Sequence, residues 1–383
     1  PSYKAPSRAA LAARISNRSF KLGVLLMALP TPLEPYTGTV SIVDLAAQAD
    51  QLILTHCVTT EHERTALVLW SLATYGYDHY RIFPRLLAIS PERRCGKTTL
   101  LEVVAALCRN SIQASNLTPA IISRIKSIVC DPTLLIDEAD TFIKNADGNI
   151  KGLINSGHTK SGAQVLKCVG DSHTPQVFDT WHPMVIASIG ALEDTIMDRS
   201  IIINLRRKRP SENVQRLPSD LSEEWKDWRS KALRWFMDNA STLNDSNQVE
   251  PEYRGNDRAI DNWVPLFTLA KAMDETWYSR CEAAYEELVN EVEMELPTRL
   301  LSDIRYCVTK AKTPRISSSD MVKRLIEDET APWGDVRLTP AKVASMLAPY
   351  NIKPKTMRFD DKVLRGYEST QFEDSFERYL PPI

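Results

Sequence analysis

The first regular pattern in the chain is a helical one. Between residues 41 and 77 apolar side chains recur every three or four positions, as at Ala66, Leu69, Trp70 and Ala73. This spacing places them on one side of an α-helix. We therefore predict helices with a buried face over most of this segment.

Residues 85–206 change to short, continuously apolar runs that are separated by helical segments. The runs predicted as strands are Arg85–Ser90, 134–136, 184–187 and 201–203. Helices are predicted over 97–108 and from Thr118-Pro119 to about Val129. Strands that are apolar throughout are typical of a parallel sheet covered by helices on both faces, so we predict an α/β fold.

The rest of the chain is mostly helical, and its pattern divides the sequence into four parts. Residues 216–301 have helical spacing with a polar loop at 244–257, and a two-stranded ribbon is predicted from 356–359 and 363–367. The predicted parts are a basic, proline-rich linker (1–40), an α/β core with N-terminal helices (41–215), a helical segment (216–305) and a C-terminal module (306–383).

Composition narrows the function classes. The chain has 383 residues, of which 43% are apolar and 25% charged, as in ordinary globular proteins. Its 47 basic and 49 acidic residues give a net charge of −2. A general attraction for nucleic acid is therefore absent, and any DNA-binding surface must be local.

The sequence gives little support for a membrane span, a zinc site or a set of disulfide bonds. No apolar stretch approaches the ~20 residues that a membrane span needs, so no membrane partner is expected. Seven cysteines without a CxxC pair and six histidines without HxxxH spacing favour a reducing cytoplasm. The first 33 residues are basic without any acid, as in a transit peptide or, as we prefer here, a linker. Because the sequence begins at Pro1, we expect a piece of a longer protein.

The decisive motif lies between a predicted strand and a predicted helix. Residues 90–99 match the phosphate-binding pattern GxxxxGK[ST], except that Pro91 replaces the first glycine. Lys97 is expected to reach the β- and γ-phosphates, and the Thr98 hydroxyl to ligate Mg²⁺. The residues predicted to bind the nucleotide here are Pro91, Glu92, Arg93, Arg94, Cys95, Gly96, Lys97, Thr98 and Thr99. A chance match at a helix start is the alternative.

A second motif makes chance a poor explanation. The apolar run at 133–136 ends in Asp137 and Glu138, the Walker B arrangement. Buried strands seldom end in adjacent carboxylates without a cation, because repulsion and desolvation oppose them. Asp137 is predicted to hold Mg²⁺ and Glu138 to orient the attacking water. ATP and Mg²⁺ are therefore the predicted cofactors.

Two further positions are candidates for phosphate contacts. Ser188 ends the third apolar strand, where a polar residue can face the γ-phosphate, although a plain strand-end serine fits equally well. Arg199 directly precedes the run at 201–203. It is predicted to act on a neighbouring subunit's nucleotide as an arginine finger, with a surface salt bridge as the alternative. Action in trans implies a ring.

Together these motifs resemble an uncharacterised AAA+ family of bacteria, phages and mobile elements, often found as the C-terminal part of primase–helicase-like proteins. The resemblance covers about residues 40–383. It rests on the strings at 90–100, 133–142, 155–158, 168–170, 181–183, 194–200, 256–259 and 366–380. It implies an AAA+ ATPase core followed by a helical lid (216–305), and the Pro91 replacement fits it. The lid would supply Arg258 to the phosphates as sensor 2, with a structural salt bridge as an equal alternative.

Two basic segments are candidates for DNA contact. Residues 162–178 are predicted to form a β-hairpin, a feature that replicative helicases of related architecture use to grip DNA. Lys160, Lys167 and His173 would contact phosphates there, unless the hairpin only packs against the sheet edge. The C-terminal module resembles a winged helix whose basic ribbon carries Lys355 and Arg358, although such modules also bind proteins.

These expectations combine into one functional hypothesis. The chain is predicted to be an ATP-hydrolysing, ring-forming DNA motor, the helicase part of a mobile-element or phage replication protein. A hexamer is the expected ring, and a primase domain is the expected upstream neighbour. The alternative is an AAA+ switch or an assembly or defence factor that acts on a protein partner. A degenerate nucleotide-binding scaffold is disfavoured by the intact Lys97, Thr98, Asp137, Glu138 and Arg199. Tryptophans 225, 228, 235, 263 and 277 lie in helical segments and are predicted to belong to the core.

Overall fold

The structure is a computed structural model, and it separates the chain into two compact units. The first extends to residue 291 and the second begins at residue 292. The residues described are 30, 32–114, 118–139, 148–169, 174–243, 248–251, 257–290, 296–311, 314–327, 331, 333, 338–359 and 362–380. Within them, no helix combines the length and the apolar composition needed to cross a bilayer.

The first unit is built on the predicted parallel sheet. Its strands are β1 (Arg85–Ser90), β2 (Ser111–Ala114), β3 (Thr133–Ile136), β6 (Met184–Ile189) and β7 (Ser200–Asn204), while β4 (Gln164–Val169) and β5 (Thr174–Asp179) form a separate hairpin. The order across the sheet is β2-β3-β6-β1-β7, and every neighbouring pair is parallel. The α/β prediction is confirmed, and β1 lies inside the sheet between β6 and β7.

Helices cover both faces of this sheet. They are α1 (Ile42–His56), α2 (Glu61–Ala73), α3 (Lys97–Leu107), α4 (Pro119–Ile128), α5 (Gly148–Ser156), α6 (Asp194–Met197), α7 (Leu221–Glu224), α8 (Lys226–Asp238), α9 (Asp257–Met273) and α10 (Glu275–Asn290). Alternate residues of β1 point to opposite faces, as strand geometry requires. Leu86 and Ala88 join the core formed with α1, α2, α3 and α8–α10, whereas Leu87 joins the one formed with α4, α5 and α6.

Local sequence explains where several helices begin. Thr60 and Glu63 form a capping box at the start of α2, in which each side chain bonds to the other residue's backbone amide. Pro119 occupies the first turn of α4, where a missing amide costs nothing. Four of the five tryptophans assigned to the core are buried and Trp225 packs against them partly buried, so this prediction is confirmed.

The β4–β5 hairpin has one face on α4 and one face open. On the α4 side the Arg124 guanidinium lies over the Phe178 ring, and at the end of β5 the Lys126 ammonium pairs with Asp179 at 2.7 Å. On the other face Leu166 and Val177 are cross-strand neighbours, 73% and 59% exposed. The hairpin is therefore present as predicted, and its open face carries an exposed apolar pair.

The second unit has its own core. Its elements are α11 (Leu296–Ala311), β8 (Arg315–Ser317), α12 (Ser318–Ile326), α13 (Pro340–Leu347), β9 (Lys355–Phe359), β10 (Lys362–Glu368) and α14 (Glu373–Tyr379). The strands form an antiparallel sheet in the order β8-β10-β9. The predicted ribbon corresponds to β9 and β10. Trp333, Tyr367 and Phe372 are fully buried where helices and sheet meet.

Candidate nucleotide-binding site

The loop predicted to bind phosphate, called the phosphate loop below, joins the end of β1 to the start of α3. Two of its residues, Arg94 and Gly96, have positive φ angles of 67° and 84°. The left-handed turn at Gly96 lies directly before α3, so the free amides of the helix start face the loop. Helix N-termini of this kind bind anions, because unpaired N–H groups and the helix dipole act together.

The Lys97 side chain reaches across this loop. Its ammonium donates to the Ser90 hydroxyl at 2.9 Å, and that hydroxyl donates to the Glu92 carbonyl at 2.8 Å. Ser90 is completely buried at the end of β1. The loop therefore presents a positive charge at its centre, held by its own polar groups.

The two predicted metal ligands lie side by side, Thr98 at the start of α3 and Asp137 directly after β3. The Thr98 hydroxyl donates to Asp137 Oδ2 at 3.2 Å, and the Glu138 amide donates to Asp137 Oδ1 at 2.8 Å. Glu138 has a left-handed φ of 54°, a strained conformation for a residue other than glycine. A hydroxyl and a carboxylate oxygen side by side are the hard ligands that Mg²⁺ prefers, so the donor set fits this ion.

One cavity unites these groups. It has a volume of about 670 Å³, within the range of small-molecule sites. Its lining residues are Arg93, Arg94, Gly96, Lys97, Thr98, Thr99, Asp137, Glu138 and Ile189. Of the other predicted loop residues, Pro91 and Glu92 are exposed beside the cavity and Cys95 is buried beneath the loop.

Ser188 is close to this cavity without lining it. It is fully buried, and its hydroxyl donates to the Gly190 carbonyl at 3.1 Å. Ile189 is the β6 residue that lines the cavity. The structure thus gives Ser188 the contacts of a strand-end serine.

Arg199 and Arg258 lie at the opposite edge of the sheet. Arg199 is hydrogen-bonded through its carbonyl to the amide of Arg85 at the start of β1, whereas the phosphate loop follows Ser90 at the other end. The two ends of β1 are five residue steps apart, which corresponds to about 16 Å along the strand. Neither arginine lines the cavity of its own chain.

The two arginines lie close together and have different partners. The Asp198 carboxylate forms an ion pair with Arg258, while the Arg199 guanidinium donates to the Thr195 carbonyl at 2.6 Å. Burial lowers the pKa of Arg199, and the neighbouring Arg258 guanidinium lowers it further. The salt bridge considered for Arg258 is therefore present, and the two guanidinium groups lie near each other, one on a carboxylate and one on a backbone carbonyl.

Comparison with known proteins identifies a relative of this chain, the "Uncharacterized 28.9 kDa protein in xis 5'region" of Saccharopolyspora erythraea. The two sequences are 30% identical over 185 residues, which are 46% of this chain and 69% of that protein. This chain belongs to the same family as the Saccharopolyspora protein. A family model described as "Protein of unknown function (DUF3631)" matches residues 204–379.

Two solved structures, both apo A forms of the NrS-1 C-terminal region, resemble the chain more distantly. Their TM-scores are 0.41 and 0.42, at 15% and 13% sequence identity. Each covers 88% of this chain, and this chain covers 79% and 78% of them. Likeness at this level is too weak to assign a function.

The structure distributes the predicted DNA contacts over several different places. Lys167 points to α4 and donates to the Pro119 carbonyl at 3.1 Å, and burial, followed by the charge of Arg124, lowers its pKa. Lys160 pairs with Asp78 at 3.1 Å. Lys355 lies on β9 and pairs with Glu368, and Arg358 lies on the same strand. His173 falls outside the described residues.

Sequence reasoning missed a group of buried polar residues near Arg199. His158, Asn262 and Arg85 are 4%, 3% and 1% exposed. The available signals were weak: Arg85 starts an otherwise apolar strand, and Asn262 interrupts an apolar helix face. It also missed Arg207, whose guanidinium lies 3.2 Å from the Glu92 carboxylate on the phosphate loop.

Proposed function

We propose that this chain is a Mg²⁺-dependent ATPase of the AAA+ type that works in a ring, as a hexamer, and acts on DNA. The observation that carries the proposal is the meeting of Lys97, Thr98, Asp137 and Glu138 in one cavity. These side chains come from two elements more than 30 positions apart. Ligand sites in parallel sheets lie at the carboxyl ends of the strands, where this cavity is.

Each residue has a distinct task in hydrolysis. The loop amides and Lys97 bind and neutralise the β- and γ-phosphates. Thr98 and Asp137 would hold Mg²⁺, which would supply charge stabilisation at the phosphoryl oxygens. The Glu138 carboxylate orients the attacking water and accepts its proton. Arg93 and Arg94 add positive charge at the wall of the cavity.

The ring follows from the position of Arg199. About 16 Å of strand separate it from the phosphate loop of its own chain, which supports contact with the nucleotide of a second copy. The strand order supports the AAA+ assignment, since β6 is inserted between the strand of the phosphate loop and the strand of Asp137. Residues 216–305 would act as the lid of this core.

DNA is assigned to the C-terminal module, residues 306–383, as a winged helix. Helices α12, α13 and α14, which lie wholly within this module, and the antiparallel sheet β8-β10-β9 support this assignment. The β9–β10 ribbon carries Lys355, Arg358, Lys362 and Arg365 on exposed positions. Phosphate contacts from such a ribbon would position the protein on DNA. The biological setting proposed is replication in a phage or mobile element, with a primase domain upstream.

A protein partner is the second candidate, and the hairpin favours it. Leu166 and Val177 form an exposed apolar pair, while Lys167 is engaged by α4. Apolar surface is typical of protein contacts and gives nothing for phosphates to bind. An AAA+ switch or assembly factor would use this face on its target.

Phosphate release decides between these proposals. The protein is incubated with Mg²⁺-ATP alone, with single-stranded DNA and with forked DNA, and Lys97→Ala serves as the control. Hydrolysis that DNA stimulates, together with unwinding of the fork, supports the motor. Hydrolysis that DNA leaves unchanged favours the protein-directed switch, and a rate equal to that of Lys97→Ala contradicts both.

A further inference from the structure

A chain of buried hydrogen bonds surrounds the backbone of Arg199. The Asn262 side chain, on α9, donates from Nδ2 to the Asp198 carbonyl at 2.9 Å. Its Oδ1 lies 2.7 Å from Nε2 of His158. Because the Asn262 nitrogen is already the donor to Asp198, its oxygen must accept, so the His158 proton is on Nε2.

The Arg199 backbone carbonyl is also held by a hydrogen bond. The Arg199 carbonyl accepts from the Arg85 amide at 2.9 Å, which is the first bond between β7 and β1. The Arg85 guanidinium in turn donates to the carbonyls of Ile154 and His182 at 2.7 Å each. Carbonyls on both sides of the Arg199 α-carbon are thus tied to buried groups.

The same arrangement leaves no space for a side chain at residue 157. A Cβ atom there would lie 2.2 Å from the Thr180 carbonyl oxygen and 2.4 Å from the Arg85 guanidinium. Five segments that lie far apart in the sequence therefore converge on one corner of the first unit, around Arg199. They are residues 154–158, 180–182 and 198–199, the start of β1 at Arg85, and helix α9.

The side-chain amide of Asn262 is a polar group buried among apolar side chains. Asn262 lies in a helix whose neighbouring side chains, among them Trp263 and Leu266, are apolar and buried. Leaving an amide without partners in such surroundings would cost free energy, and both of its polar ends are used here. Both contacts lead towards the corner that carries Arg199.

We propose that Asn262 is a positioning residue for Arg199. Its side chain holds the Asp198 carbonyl in place, and this contact sets the direction in which the Arg199 side chain meets the nucleotide of a second copy. This inference rests on the proposed trans role of Arg199. Asn262 touches no nucleotide itself. Helix α9 thereby becomes the element whose position decides whether Arg199 is aligned.

The test is a comparison of Asn262→Ala with Thr268→Ala. Thr268 lies on the same helix, is equally buried and accepts a hydrogen bond from the Val249 amide at 2.9 Å, without contact to the corner. For Asn262→Ala we expect kcat for ATP to fall about 10- to 100-fold, the effect of misplacing a catalytic group by about 1 Å. The affinity for a fluorescent ATP analogue stays within about threefold of wild type, because the cavity lies at the other sheet edge. Thr268→Ala keeps the wild-type kcat.

A double variant separates positioning from general damage. If Asn262 acts through Arg199, adding Asn262→Ala to Arg199→Ala lowers the single-turnover rate no further. Asn262→Asp keeps the shape of the side chain and its acceptor oxygen but loses the donor to the Asp198 carbonyl, so we expect the same fall in kcat. This variant serves as the test if Asn262→Ala does not fold.

The outcomes separate this inference from the function on which it rests. An unchanged kcat in a folded Asn262 variant, an equal loss in Thr268→Ala, or an additional loss in the Arg199→Ala background overturns the positioning role alone. A wild-type protein that releases no phosphate overturns the proposed function, and the positioning role with it.

Discussion

Acid should destabilise this protein through two buried histidines. Burial lowers the pKa of His158 and of His182 from 6.5 to about 4. In the unfolded chain both rings titrate near the ordinary value of about 6.5. Between these two values the unfolded state binds more protons than the folded state, so stability falls as the pH falls.

The size of the effect follows from these values. One pKa unit corresponds to about 1.4 kcal/mol, so each ring removes about 2 kcal/mol from the free energy of unfolding at pH 5 relative to pH 7.5. The two rings together remove about 4 kcal/mol, a large share of the roughly 5–15 kcal/mol of a typical domain. The stabilisation is fully present above pH 6.5 and is lost progressively down to about pH 4.

Urea unfolding at pH 7.5 and pH 5 measures this loss, and two substitutions assign it. His158→Gln keeps a nitrogen donor for Asn262 Oδ1 but cannot titrate. His182→Phe removes a ring whose Nε2 has no hydrogen-bond partner within the described part of the chain. Each variant should lose about 2 kcal/mol less than wild type between the two pH values. A loss in both variants equal to that of wild type would refute the argument, because the carboxylates common to all three proteins would then account for it.

Three further predictions concern the proposed ATPase. Glu138→Gln should keep ATP affinity and lose nearly all turnover, since the amide cannot accept the proton of the attacking water; normal turnover would remove Glu138 from the reaction. Arg199→Ala should fold and lose hydrolysis by about 10³-fold or more, and mixing it with Lys97→Ala should restore activity at hybrid interfaces. Absence of rescue in mixed samples would argue against contact in trans. Lys355→Glu with Arg358→Glu should weaken DNA binding and reduce its salt slope by about 2, as measured by fluorescence anisotropy at several salt concentrations; an unchanged slope would take the ribbon out of the DNA interface.

The grouping of Lys97, Thr98, Asp137 and Glu138 in one cavity was predictable because its determinants are local. The loop after β1 carries its own signature, and Asp137 and Glu138 end a strand that is apolar throughout. Parallel strands bring such ends together at one edge of the sheet, which sequence periodicity alone implies. The short edge strand β2 was not predicted, because Ser111–Ala114 is half-exposed and carries one strongly apolar residue.

The corner around Arg199 was beyond sequence reasoning for a different reason. The bond between His158 and Asn262 joins residues 104 positions apart, and neither residue stands in a regular pattern. Arg258 was considered for the phosphates because it opens a helix, whereas the fold brings it to Asp198. Lys167 could be read as a DNA contact because its position in the hairpin was visible and its neighbour α4 was not.

The placement of the phosphate loop and Arg199 at opposite ends of β1 has a consequence for how such a protein is switched on. Under the proposed function a lone copy is inactive, so the rate per molecule rises with concentration by mass action. Dilution acts as an off switch, and a scaffold that gathers copies acts as an activator without binding near any reacting atom.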